Sequence, residues 1–462
     1  MPFLRMGMCL IAILVAAACA SAPNRFQAEA SSGKAPAKLR TLKTSREVSL
    51  NDASGRLSYR RVLERAQNAN ASILAARDAW AASRQVRAQA TEYPDPVFRF
   101  GYFAEEVRTR TGDQVLSIGV SQMIPWPGKL ESKGRVADIK AIRAELKALI
   151  ATRDVLVKVA GTYVEYGYLA EAIEISSTIT DAWKRVLAAA QKDPSQRRVA
   201  ETLRAETELA QSQYDLQTWR ELAEVERAKL RAHLSLPRSS PLGVPAKTTV
   251  VSALAPLDEL QQAAQEHNQD LALAQVTLRL QREKITLAEQ SDRPSFSVSG
   301  RYIPTRERRD ADPRYNGNDP IFVELGVTIP LGRKARRAEV KEADLRARSA
   351  SHARDAIRYQ IDADIAGWYW KVINAQRVVR LYQDSLLPQV RRAARAAEDL
   401  AQTGTSGLAG LLETVANWSH LELAAGRAEA DLRLAMLQLE RRVGTPMASF
   451  ASRGDPKTGA KK

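Results

Sequence analysis

The stretch "PSFSVSGRYI", residues 294–303, alternates apolar with small polar side chains in a chain that otherwise reads as one long helix after another. Period-two alternation puts successive side chains on opposite faces of a strand, so this segment fits a sheet with one greasy side and not an amphipathic helix. It has three companions. "YPDPVFRFGYF" sets Phe98, Phe100 and Tyr102 against Arg99 and Gly101, and "VLSIGVSQMIPWPGK" sets Leu116, Ile118 and Val120 against Ser117, Gly119 and Ser121. "PIFVELGVTIPLGRK" sets Ile321, Val323, Leu325, Val327 and Ile329 against Glu324, Gly326 and Thr328. Joined by polar loops, the four segments read as two β-hairpins, 96–124 and 294–329, each strand about ten residues long.

The hairpins sit inside two copies of one plan. Each follows a helix, Tyr59 to about Thr91 or Leu257 to Gln290, and precedes a much longer one, Lys129 to about Asp193 or Lys334 past Pro388 to about Thr403. "SIGVSQMIPWPGK" and "ELGVTIPLGRK" correspond in order, which supports a duplicated unit. In the first long helix Ile142, Leu149, Leu156, Tyr163 and Ala170 recur every seven residues, with Val159, Tyr166 and Ile173 as a second seam, which is coiled-coil spacing. At ~1.5 Å per residue such a helix reaches roughly 100 Å, further than any compact domain requires. Breaks at "QKDPSQ" and "QTGTSG" turn the chain into return helices, Val199–Leu236 and Leu408–Val443, of about half that length. Each return helix leaves the upper half of its long partner uncovered, and the helix before each hairpin has the missing length. "LPRSSPLGVP" and the chain tails then gather at mid-height as an irregular belt. The expected division is a signal peptide at 1–19, an N-terminal equatorial segment at 20–58, repeats at 59–245 and 246–444, and a C-terminal equatorial tail at 445–462.

The start, "MPFLRMGMCLIAILVAAACASAP", places Arg5 before an apolar run and small residues, as in a secretory signal peptide. Cys19 is the candidate lipidated residue if "VAAAC" acts as a lipobox; the neighbouring small residues equally suit ordinary cleavage. Cys9 and Cys19 are the two cysteines of the chain, so the mature protein has no internal disulfide. After the signal there is no apolar run of about 18 residues, which leaves strands as the only means of crossing a membrane. The formal net charge of +16 is interleaved with Glu and Asp along helix faces, and export excludes nucleic acid as the partner.

Strands of about ten residues span an outer membrane when tilted, and Tyr93 and Trp126 stand at strand ends where interfacial aromatics belong. An unpaired sheet edge in lipid costs several kcal/mol per backbone group. Four strands are too few to close around a lumen, so several copies must each contribute four; three copies give twelve strands. The expected architecture is mainly α with a small membrane β part: a trimeric α-helical barrel topped by a 12-stranded β-barrel, extending from the outer membrane into the periplasm.

The "YPDPVFRFGYF" and "SQMIPWPGK" blocks, their second copies, "HLSLPRSSPLGVP" and "QTGTSGLAGLLETVANW" resemble the TolC-type outer-membrane efflux channels over most of the mature chain. The resemblance implies a homotrimeric duct for passive exit of substrates delivered by an inner-membrane pump, of the resistance-nodulation-division type, through a periplasmic adaptor (membrane fusion protein). It also implies a closed periplasmic tip. In that family a turn Gly-Thr-x-x-x-x-Asp-x-x-Asp carries acidic rings; here Gly404 and Thr405 fall on the turn, Gly410 replaces the first acid, and Glu413 holds the second position. Glu413 is thus the candidate constriction, with an ordinary solvated helix residue as the alternative. Pro194, Gly404 and Thr405 mark the tips that would receive the adaptor.

His233, His267, His352 and His420 have no ligand spacing, and no phosphate loop or nucleophile–base pair is present, so no metal, cofactor or catalysis is expected. "SQMIPWPGK" lies nearest the heavy-metal and cation branch, with drugs as the other cargo class. The rival readings are a periplasmic coiled-coil adaptor or scaffold lipoprotein, which would need extra globular β modules, and a type I protein secretion duct.

Overall fold

The computed structural model describes residues 50–52, 54–191, 196–247, 254–311, 313–403 and 408–447. Cys19, Pro194, Gly404 and Thr405 lie outside the described residues. Helices α1 (Tyr59–Ala69) and α2 (Ala71–Thr91) lead to strands β1 (Val97–Thr109) and β2 (Gly112–Ile124), then to the long α3 (Pro127–Ala190) and its return α4 (Gln196–His233). The order recurs with α5 (Leu257–His267), α6 (Gln269–Glu289), β3 (Ser295–Tyr302), the short β4 (Thr305–Arg306), β5 (Ile321–Thr328), α7 (Arg333–Arg380), α8 (Leu387–Thr403) and α9 (Leu408–Val443). A 3₁₀ turn, Gln290–Asp292, ends α6, and a π-helical turn, Leu381–Leu386, joins α7 to α8.

Pro127 occupies the first helical position of α3, where its missing N–H would have no partner anyway and its fixed φ suits the helix. From there 64 residues run without interruption, roughly 95 Å at ~1.5 Å per residue. The second long helix, read from sequence as running past Pro388, is irregular just ahead of that proline, which cannot donate to the carbonyl four residues back. The backbone widens into the π turn just before it and continues as helix.

The helices before the hairpins, read from sequence as continuous, are each broken once, at Asn70 and at Asn268. The reason is the same in both. Asn70 Oδ1 accepts from the amides of Ser72 and Ile73 and so caps α2, while Nδ2 donates 2.8 Å to the carbonyl of His233 at the end of α4. Asn268 Oδ1 accepts from the Leu271 amide to cap α6, while Nδ2 donates 2.6 Å to the carbonyl of Arg442 at the end of α9. Both side chains are buried. Each asparagine therefore splices the C-terminus of a return helix to the N-terminus of a second short helix, satisfying donors and acceptors that both ends leave unpaired. The stacked pairs lie along the long partners: α4 and α2 against α3, α9 and α6 against α7.

The splice points require tight chain reversals. Gly444, at φ +88°, ends α9, and a Cβ there would lie 2.4 Å from the His267 carbonyl oxygen. The α4 end uses Ser235 at φ 50° instead, with the Leu236 amide donating to the Arg231 carbonyl at 3.0 Å. Next to it the segments at Leu57 and Pro245 run side by side. The Leu57 amide donates to the Val244 carbonyl, the Ala246 amide donates to the Leu57 carbonyl, and the Tyr163 hydroxyl points at the Leu57 and Ala246 carbonyls, 2.6 and 3.0 Å away. Burial pushes the Tyr163 phenol up to about 12, so it stays a donor at any physiological pH.

Apolar clusters follow the stacks in series. Tyr163, Tyr166, Leu57, Leu230 and Leu234 fill one, Leu260, Ile365, Val372 and Leu439 a second, and Trp183, Leu411, Leu412 and Val415 a third. Val159 and Tyr166 of the second heptad seam are buried, whereas Ile142 and Leu149 of the first remain exposed.

The charges expected to interleave do so across helices. Arg427 makes a bidentate pair with Glu165 (2.8 and 3.0 Å), Arg135 meets Glu283 (2.6 Å), Arg442 meets Asp364 (3.2 Å), and Asp154 accepts from both Arg153 and Arg441. Near the tip Arg391 grips Glu422 with two bonds (2.6 and 2.8 Å), and the Trp418 indole donates to the same carboxylate.

Two stability outcomes follow from these contacts. Asn70→Ala or Asn268→Ala should each cost roughly 1–3 kcal/mol, and Ser at either position, which caps but cannot reach across, should cost less. Guanidinium unfolding followed by far-UV circular dichroism measures this; equal midpoints for Asn, Ser and Ala would contradict the splice. For Glu422, burial lifts the pKa, but the bonds from Arg391 and Trp418 outweigh it and leave the carboxyl below its usual value. A depressed carboxylate stabilises above its unfolded pKa and loses that contribution as pH falls through the folded one. Glu422→Gln should therefore be less stable than the parent at pH 7, with the gap closing below about pH 4; a gap independent of pH would show that charge is not the cause.

Candidate functional site

The strands form one five-stranded antiparallel sheet in the order β1-β2-β3-β5, with β4 paired to the far end of β2. The two hairpins are thus joined directly through β2 and β3. They differ from the equal ten-residue strands expected: β1 and β2 have 13 residues, β3 and β5 have 8. Ile329, expected in the last strand, lies just beyond it, because the register brings it to Pro294, which has no N–H to donate to the ladder. Gly112, at φ +136°, lets the β1–β2 turn close beneath the Arg306 carbonyl, where a Cβ would collide.

The register aligns the alternation of all four long strands. One face carries the rows Phe100–Ile118–Tyr302–Ile321, Phe98–Val120–Gly300–Val323, Gln122–Val298–Leu325 and Ile124–Phe296–Val327. No charged residue falls on it within this register. It is not covered by the helices: Phe98 is 79% exposed, Phe100 72% and Leu325 77%. The opposite face carries Arg99–Gly119–Arg301–Phe322, Val97–Ser121–Ser299–Glu324, Gly101–Ser117 and Met123–Ser297–Gly326. Small residues dominate this second face. A Cβ on Gly101 would lie 2.7 Å from Ser117 Oγ, and one on Gly326 2.3 Å from Ser297 Oγ, so each serine hydroxyl occupies the space its partner glycine leaves.

Among the described residues β1 and β5 each pair on one side only, which leaves two open sheet edges. At the helix end of the sheet Trp126 lies 6.3 Å from the Phe296 ring, with the Arg293 guanidinium 5.9 Å above its face. Tyr93 is half exposed at the start of β1. The Trp126–Phe296–Arg293 contact ties the two hairpins together and was not legible in sequence, since spacing alone cannot pair residues so far apart.

At the other end of the helices Glu413 is exposed on the second turn of α9, beside the buried Leu411, Leu412 and Val415. Gly410 precedes it, its carbonyl accepting from Thr414 Oγ1 at 2.6 Å. The turn that Gly404 and Thr405 would form, and the Pro194 turn, lie outside the described residues. Among the described residues no group of three or more His, Cys, Asp and Glu side chains is placed to hold a metal ion. No helix among them is long and apolar enough to cross a membrane.

Comparison with known proteins agrees with this geometry. Residues 260–445 match the sequence family described as outer membrane efflux protein. The fold is that of the outer-membrane channel OprN (TM-score 0.70, 16% identity, 84% of this chain and 90% of that one) and of VceC from Vibrio cholerae (0.67, 15%, 84% and 96%). CusC, a transmembrane channel, is similar at a TM-score of 0.67 and 13% identity over 84% of this chain and 92% of its own. No curated protein sequence matches the chain. The resemblance read from the strand and turn motifs therefore stands: the second half carries the outer membrane efflux protein pattern, and the chain has the fold of outer-membrane channels.

Proposed function

We propose that the protein is the outer-membrane duct of a tripartite efflux system, a homotrimer in which three sheets close into one twelve-stranded barrel over a tunnel of helices. The observation that carries this is the sheet itself, with an uncharged apolar face turned outward and an unpaired edge on each side. In lipid the apolar face is at home, but open backbone edges are not, and closure by further copies of the same sheet removes them. The face of glycine, serine and charged residues then lines the lumen. The helices also favour association: Leu149, Leu345, Tyr359 and Trp370 are large apolar side chains left exposed in a single chain.

On this reading Tyr93 and Trp126 mark the inner membrane–water boundary, Cys19 is the site of acylation, and the segments 59–245 and 246–444 are two copies of one structural unit. The tips near Pro194, Gly404 and Thr405 meet a periplasmic adaptor, which links the duct to an inner-membrane pump of the resistance-nodulation-division type. Exit is passive, with heavy-metal cations or drugs as the cargo classes. Glu413 from three copies forms a carboxylate ring at the constriction, which repels further negative charge and holds cations.

Mass measured in mild detergent should be that of three chains, and the same preparation should conduct in a planar bilayer; a non-conducting monomer would overturn the duct. In the conducting trimer Glu413→Ala should change single-channel conductance or its block by divalent cations, and no change in either would remove Glu413 from the constriction.

A further inference from the structure

The lumen-side face of the sheet is mostly glycine, serine and small apolar residues, yet one row of it carries two arginines. Arg99 on β1 and Arg301 on β3 flank Gly119 in register, and a Cβ on Gly119 would lie 3.7 Å from both Cβ and Cγ of Arg301. The glycine thus leaves a gap over which the Arg301 stem lies. Both arginines are exposed. Two other arginines near this end of the molecule are matched: Arg306 pairs with Glu106 at 2.9 Å and Arg308 with Asp310 at 2.6 Å. No such ion pair is formed by Arg99 or Arg301 within the chain among the described residues.

The other charges on this face in the paired register are Glu324 on the edge strand β5, 3.4 Å from Ser299 Oγ, and the row Arg108–Asp113–Arg306 at the far end of the sheet. Arg99, Arg301, Arg108 and Arg306 stand against Glu324 and Asp113, so the face is net positive in every copy. Within the chain Glu324 lies diagonally across from Arg301 on the neighbouring strand, and one carboxylate offsets at most one of the two guanidinium groups. We propose that Arg99 and Arg301 form a positive belt in the barrel that raises anion permeability at this end of the duct, opposite in sign to the Glu413 ring at the far tip, and that of the two cargo classes it favours anionic or zwitterionic drugs over bare metal cations. The proposal rests on the duct reading above.

Fixed charges in a narrow water-filled lumen with low-dielectric walls set permeability through the local potential. Because serine already populates this face, Arg99→Ser/Arg301→Ser should fit the sheet. The reversal potential under a potassium chloride gradient gives the chloride-to-potassium permeability ratio, which should fall by roughly twofold or more in the double serine variant at low salt, with a smaller change at 1 M where screening is short-ranged. Arg99→Lys/Arg301→Lys, which retains the charge, should keep the parental ratio. An unchanged ratio in a serine variant that still conducts overturns the belt. A parent protein that does not conduct at all overturns the duct reading, and the belt with it.

Discussion

The constraint on which the structure depends is the unpaired backbone at the two edges of its sheet. β1 and β5 each lack a neighbour, and the apolar side chains between them are turned away from the helices that carry the sheet. In water such a surface would aggregate, and in lipid its edges would remain unsatisfied. A closed ring of like sheets answers both demands. The bulk of the opposite face is held down by paired glycines and serines, Gly101 against Ser117 and Gly326 against Ser297, which keeps the inner side open.

Below the sheet the difficulty is length. A helix of 64 residues has no core wide enough to hold it, and its stability must come from neighbours along its whole run. Asn70 and Asn268 supply them by joining two short helices into one continuous partner, with a single side chain capping the second and tethering the first. The cross-helix pairs Arg427–Glu165, Arg135–Glu283 and Arg391–Glu422 add fixed points between the apolar clusters. An elongated protein of this kind is stabilised in segments, so losing one splice weakens one level of the stack.

Much of this was legible in the amino-acid sequence. Alternation exposed the strands and their greasy face, and proline and glycine marked where helices start and turn. Helix lengths implied end-to-end stacking. The splices were not legible, because an asparagine inside a helical run is ordinary until its partner carbonyl, more than 160 residues away, is known. Strand lengths were misjudged because pairing partners, not hydrophobic pattern, decide where a strand stops; Ile329 keeps the alternation but meets Pro294, which cannot donate to it. Arg99 and Arg301 gain meaning only from the register that sets them either side of Gly119.

The central claim is that β1 of one copy pairs with β5 of the next. Within one chain these strands are separated by β2 and β3, three strand spacings or about 14 Å, which is too far for a disulfide. Phe100→Cys combined in turn with Ile321→Cys, Val323→Cys or Leu325→Cys, in a background free of other cysteines, therefore reports only contacts between copies. Oxidation in native membranes should give covalent dimers and trimers for at least one combination and nothing larger. Monomers for every combination, or a ladder that runs on past the trimer, would contradict the closed ring.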